Sequence, residues 1–365
     1  MRLDLMWLRW ALIASLGALF VTVPSCFAQE VESIYGPLPV FEFHSGFWVN
    51  LHHFLYHEAR ASLEAKEARG AAGKNPAPAL KQSPASGPTL SPAEQKTWDQ
   101  VVAYYVTNYA GKDPLINIDL ILLQNQLSDF EDCTELTGHK KPTCDAGLPG
   151  NVGAMLEAAA PIYRAHWWPD HDRANRRWVA RVAPLVREQG VGLAERLADI
   201  YQTHWPEEKI RIEVCAYANS AGAYTTLDPL RVTISSSDPR NQGTAALEVL
   251  FHEASHDIAR PVEAAIRREC KQRDKPIPRD LWHALITYTT GEVLRPVMNE
   301  PPQEKGGADA PTQRPKNTAN AYALRDVLTQ RGWEEYHGLL EEYWQPYLDG
   351  RVNFDDAIAH LVSAV

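Results

Sequence analysis

The sequence predicts an α+β protein that is mainly α-helical, with one small antiparallel sheet packed on a helix that carries paired histidines. Three observations lead there. Long stretches repeat apolar residues at intervals of three and four, the helical period. Strict alternation, the strand period, is confined to residues 210–235. Two stretches almost without large apolar residues, 69–92 and 300–316, separate the patterned regions.

Taken in order, residues 1–28 read as a secretory signal peptide. Arg2 and Arg9 flank the start of an apolar run from Ala11 to Val21, Pro24 breaks it, and Ala28 offers a small residue for cleavage before Gln29. The run falls short of the roughly 20 residues a bilayer span needs. No later segment is longer, so the mature chain is expected to be secreted or periplasmic with no transmembrane segment. Val23-Pro24-Ser25-Cys26 loosely resembles a lipoprotein cleavage box, which would leave a lipid anchor at Cys26.

An N-terminal helical region is expected over 29–205, with helices near 47–68, 92–110, 114–127, 151–165 and 171–203 and a mobile loop at 69–92. Ser91-Pro92 and Pro169-Asp170 suit helix starts, because proline fits the first turn, and Asp170 is placed to cap. Ile210 to Val214, Ala223 to Thr226 and Arg231 to Ser235 then read as three strands joined by short turns at Gly222 and Asp228-Pro229. Helices follow near 243–259, 261–273 and 278–294, completing a core over 206–299. A flexible loop at 300–316 leads into a C-terminal helical region, 317–365, with helices near 318–330, 332–347 and 353–363.

With 36 Lys and Arg against 46 Asp and Glu, the chain carries a net charge of −10. That argues against nucleic acid and against an anionic membrane surface as partners. Cys133 and Cys144 bracket a turn-rich loop and are expected to form a disulfide; Cys215 and Cys270 remain, as a second pair or as buried thiols.

The helix near 243–259 carries the chemistry. It contains His252-Glu253-Ala254-Ser255-His256. Four residues turn an α-helix by about 400°, so His252 and His256 project from one face a turn apart. Two imidazoles so placed can hold one zinc ion at about 2.0–2.1 Å. Glu253 lies about 100° around the helix, beside the ion rather than on it, where it can take a proton from a metal-activated water. Asp257 is set to hold a ligand histidine in its tautomer.

A third ligand is required. The position six residues past His256 is Val262, so a closely spaced third histidine is absent. Glu263, Glu269 and Glu292 come next. Glu263 follows Pro261 with little chain to turn back, and Glu269 lies in a charged run. Glu292 lies in an apolar, aromatic segment, where a carboxylate needs a partner. Glu292 is therefore the expected third ligand. Tyr288, four residues earlier on the same face, is the first choice to donate to the oxyanion, and His283 the second.

His252-Glu253-x-x-His256 with a downstream Glu292 resembles the gluzincin branch of zinc metallopeptidases, over roughly residues 210–295. The resemblance implies a sheet whose edge aligns an extended peptide, a helix bearing two ligands and a second helix bearing the third. It implies Zn²⁺ as cofactor and a peptide or protein substrate. The surroundings of Glu292 lack the Asn-Glu-x-x-x-Asp of thermolysin relatives.

Two other clusters stand out. His44, His52, His53 and His57 fall within one aromatic stretch; His53 and His57 share a helical face that could line a cleft, or simply tip an aromatic core helix. Residues 163–172 gather Tyr163, His166, Trp167, Trp168 and His171, either as a substrate rim or as a corner between helices. The expected activity is exported, zinc-dependent hydrolysis of peptide bonds. A non-catalytic binding protein with a structural or degenerate site is the alternative, and hydrolysis of another amide or ester uses the same metal chemistry.

Overall fold

The computed structural model describes residues 27–71, 88–136, 147–299 and 332–365. Cys26 and the rest of the apolar leader, Cys144, most of the expected loop at 69–92, the loop at 300–316 and the expected helix at 318–330 lie outside the described residues.

The chain opens with α1 (Phe27–Tyr35) and β1 (Phe41–His44), followed by α2 (Phe47–Ala71), α3 (Pro92–Asn108), α4 (Ile118–Asp129), α5 (Val152–His166) and α6 (Trp168–Ile200). Three strands come next: β2 (Ile210–Cys215), β3 (Ala223–Leu227) and β4 (Leu230–Ser235). Then follow α7 (Thr244–Ile258), α8 (Arg260–Gln272) and α9 (Leu281–Asn299). The C-terminal part holds α10 (Glu334–Leu339), a π-helical turn (Leu340–Trp344), α11 (Gln345–Leu348) and α12 (Phe354–Ala364). Mainly helical architecture with one small sheet is what the periodicity predicts.

Local signals set several boundaries. Ser91 accepts from the backbone of Glu94 while the Glu94 carboxylate accepts from the backbone of Ser91, a capping box with Pro92 in the first turn of α3. Asp170 does not cap α6; its carboxylate accepts from Arg173 instead, because the helix already starts at Trp168.

The sheet is mixed rather than antiparallel throughout. Its order is β1-β2-β4-β3, with β1 and β4 both parallel to β2 and only β3 antiparallel, to β4. The apolar pattern explains the order. Ile210, Ile212 and Val214 of β2 and Val232 and Ile234 of β4 are buried, so these strands take the centre. The more polar Ala-Tyr-Thr-Thr-Leu of β3 is left at one end. β1 escapes the sequence reading because its four residues find their partner far along the chain.

Two cores flank the sheet. One joins α1, α6, α7, α8, α9 and the C-terminal helices to the β2 and β4 side chains Ile212, Val214, Val232 and Ile234. The other joins α2, α3, α4 and α5 and reaches the sheet at Cys215. Phe27 and Ala28 are buried in the first core, and Arg176 lies 4.8 Å over the Phe27 ring. The expected cleavage after Ala28 would remove both. Cys215 and Cys270 are free, buried thiols, so they do not pair. Cys133 is disulfide-bonded.

No helix among the described residues is long and apolar enough to cross a membrane.

Candidate metal centre

α7 begins after Gly243, whose φ of 60° lies in the left-handed region that suits glycine. Its inner face is Ala246, Leu247, Leu250, Phe251, Ala254 and Ile258, all buried in the core. This packing leaves His252, Glu253 and His256 on the side that meets β3 and α9.

Three imidazoles converge there. Ligand nitrogens of His252, His256 and His283 all lie within 4.8 Å of one another. His283 Nε2 is 3.2 Å from His252 Nε2. Two ligands of a tetrahedral zinc ion stand about 3.3 Å apart when each is about 2.0–2.1 Å from the metal, so that spacing fits a shared ion. His252 and His283 are stacked, with ring centroids 5.2 Å apart, and His256 lies 4.8 Å from His283. Trp282 and Trp333 wall the group in, at 5.2 Å and 5.1 Å from the His283 ring. Trp282 also lines a cleft of about 310 Å³ with Ile266, Ile277 and Pro278.

The group could hold a metal ion through three neutral imidazoles. Three protein ligands with a fourth position open is the pattern of a catalytic rather than a structural site.

Glu253 stands at the edge of the triad. Its Oε2 lies 3.8 Å from His256 Nε2. The same oxygen accepts from the Thr225 hydroxyl at 2.7 Å, and that hydroxyl is also 2.8 Å from the Glu253 carbonyl oxygen. Thr225 belongs to β3, the end strand of the sheet.

The expected third ligand is not in this group. Glu292 lies on α9 and is ion-paired with Arg295, one turn further on. His283 and Glu292 are nine residues apart on one helix, about 900° of rotation, and so face opposite sides. His283 is the residue of α9 that lies with His252 and His256. Tyr288 is displaced by the same geometry. It lies about 140° around α9 from His283, and its hydroxyl donates to Gln345 at 2.6 Å. Gly291 marks the close approach of α7 and α9, since a Cβ there would sit 3.3 Å from Glu248 Oε1.

Of the other acids, Glu263 pairs with Arg267 and Glu269 with Arg273. Asp257 pairs with Arg260 rather than with a ligand histidine. Sequence reasoning missed Thr225 altogether, because nothing local links residue 225 to residue 253.

Of the histidines in the two other clusters, His44, His52 and His53 are buried, His166 and His171 are half-buried, and His57 is exposed. His53 is held between the Val49 carbonyl, 2.8 Å from Nδ1, and the Tyr224 hydroxyl, 2.8 Å from Nε2; burial pushes it down to about 4. His52 meets the Tyr105 hydroxyl and is also pushed well down by burial. His44 meets Glu131 at 2.6 Å, and His57 stacks on Tyr217 at 4.3 Å. His171 meets the Tyr163 hydroxyl at 2.8 Å, at the corner between α5 and α6, and burial lowers it to about 4.

No protein-family model matches this chain, and no curated protein or solved structure matches it.

Proposed function

We propose that the protein is a zinc-dependent hydrolase of peptide bonds, acting after export, with His252, His256 and His283 as ligands. The observation that carries this is a carboxylate, Glu253, 3.8 Å from the His256 nitrogen at the rim of a three-histidine group. A purely structural site has no use for such a base. Bound there, zinc would acidify a water and polarise the scissile carbonyl. Glu253 takes the proton of the attacking water and passes it to the leaving amine. Three neutral imidazoles would leave a bound zinc ion its full double charge, more than a set including a carboxylate would.

The end position of β3 supports an extended substrate. A terminal strand offers backbone groups along its outer side, and peptides commonly bind by adding to such an edge. The cleft beside Trp282 offers room for a side chain.

Elemental analysis of the purified protein, dialysed against metal-free buffer, is the first test. About one zinc per chain is expected, with hydrolysis of a fluorescently labelled casein. Glu253→Gln should keep the zinc and lose the hydrolysis. Zinc bound by wild type with equal hydrolysis by both proteins would remove Glu253 from the mechanism. Absence of zinc after reconstitution would favour a non-catalytic binding protein.

A further inference from the structure

We infer that Thr225 is a positioning residue for the general base, tying Glu253 to the end strand of the sheet. This rests on the proposed role of Glu253.

A glutamate has three rotatable side-chain bonds and, unless neighbours hold it, samples several rotamers even when its side chain is largely buried, as that of Glu253 is. Transfer of a proton needs its oxygen within about 3 Å of the reacting water, held there before reaction begins. Among the contacts that hold it here, two fall on one oxygen. Oε2 lies 3.8 Å from His256 Nε2. The same oxygen accepts from the Thr225 hydroxyl at 2.7 Å. That hydroxyl is also 2.8 Å from the Glu253 backbone oxygen, so it sits in a notch formed by one residue's carboxylate and its carbonyl. It has a single proton to donate and two acceptors facing it.

Neighbouring side chains on β3 show why this residue is placed so well. Successive residues of a strand point to opposite faces. Tyr224 and Thr226 turn to the α4 side, where Tyr224 meets His53 and Gln124 and Thr226 meets Asn125. Thr225 therefore points to the α7 side, and its backbone is held by pairing with Val232 of β4. As a β-branched residue it is also stiff at χ1. The hydroxyl is a fixed point built into the sheet, and the base is set against it.

The test uses three variants of the full chain: Thr225→Val, Thr225→Ser and Glu253→Gln. Valine keeps the shape and removes only the hydroxyl; serine restores it. Zinc content and thermal midpoint are measured first and should match wild type, since no ligand is touched. Binding of acetohydroxamate to the zinc-loaded proteins is then measured by calorimetry. A hydroxamic acid gives up a proton as it chelates zinc, so its affinity reads a nearby carboxylate without any need for a substrate. We expect Glu253→Gln to weaken it, Thr225→Val to weaken it about tenfold, and Thr225→Ser to stay within about twofold of wild type. On labelled casein, Thr225→Val should lower kcat with KM unchanged.

Wild-type affinity in Thr225→Val alongside weakened Glu253→Gln would overturn the role of Thr225 and leave the base assignment standing. Wild-type affinity in both, or failure of the wild-type protein to take up zinc, would overturn the role of Glu253 and that of Thr225 with it.

Discussion

At the scale of single residues, the choice of third ligand turns on half a helical turn. His283 and Glu292 are both on α9, and their nine-residue separation puts them on opposite faces. Only the packing of α9 on α7 decides which meets His252. The expected consequence is that His283→Ala loses zinc, as His252→Ala and His256→Ala do, while Glu292→Gln keeps it. Glu292→Gln instead weakens the pair with Arg295, whose side chain is 37% exposed, at a cost of about 1 kcal/mol. Zinc analysis of the four variants checks both statements; loss of zinc in Glu292→Gln would restore it as the ligand. The pair His252 and His256 was legible in the sequence because a helix fixes residues four apart locally. His283 was visible only as a donor candidate, since its distance from α7 is set by tertiary packing.

At the scale of elements, β3 and α2 are joined by a buried polar chain. His53 of α2 and Gln124 of α4 both meet the Tyr224 hydroxyl, and the Gln124 amide reaches Thr233 of β4. Burial holds His53 neutral, with its pKa lowered from 6.5 to about 4. Between these two values the unfolded chain binds a proton that the folded chain does not. Stability from this residue is therefore present above about pH 6.5 and lost as the pH falls towards 4. A full shift of this size corresponds to something on the order of 3 kcal/mol. Urea unfolding at several pH values should show this decline, and His53→Gln should flatten it; an unchanged slope would mean that His53 is not the group responsible. The Phe251 ring of α7, which touches Phe41 and Trp205, illustrates the apolar counterpart. Phe251→Ala should cost about 3–5 kcal/mol in the same assay. The helices themselves were legible because each buries one face at a regular period, whereas β1 was not, because four residues carry too little pattern.

At the scale of the whole molecule, the candidate centre links α7, which packs on β3 and β4, to α9, which packs on α7 and on α10. A metal held only by the folded chain stabilises it in proportion to how far its concentration exceeds the dissociation constant, about 4 kcal/mol at a thousandfold excess. Chelation should thus lower the thermal midpoint by several degrees, and re-addition of zinc should restore it. His283→Ala should show no response to chelator. A wild-type midpoint indifferent to chelator would mean that no metal joins the two helices.

What the sequence determined by itself is local: the helical periods, the hairpin of β3 and β4, and a helix with two histidines and a glutamate at the spacing a metal site needs. These follow from bond geometry over a few residues. The tertiary structure alone decided the parallel partners of β2, the free state of Cys215 and Cys270, His283 as the third member of the triad, and Thr225 against Glu253. Each joins segments far apart in the chain, and which segments meet depends on how the apolar faces of all the elements are buried together.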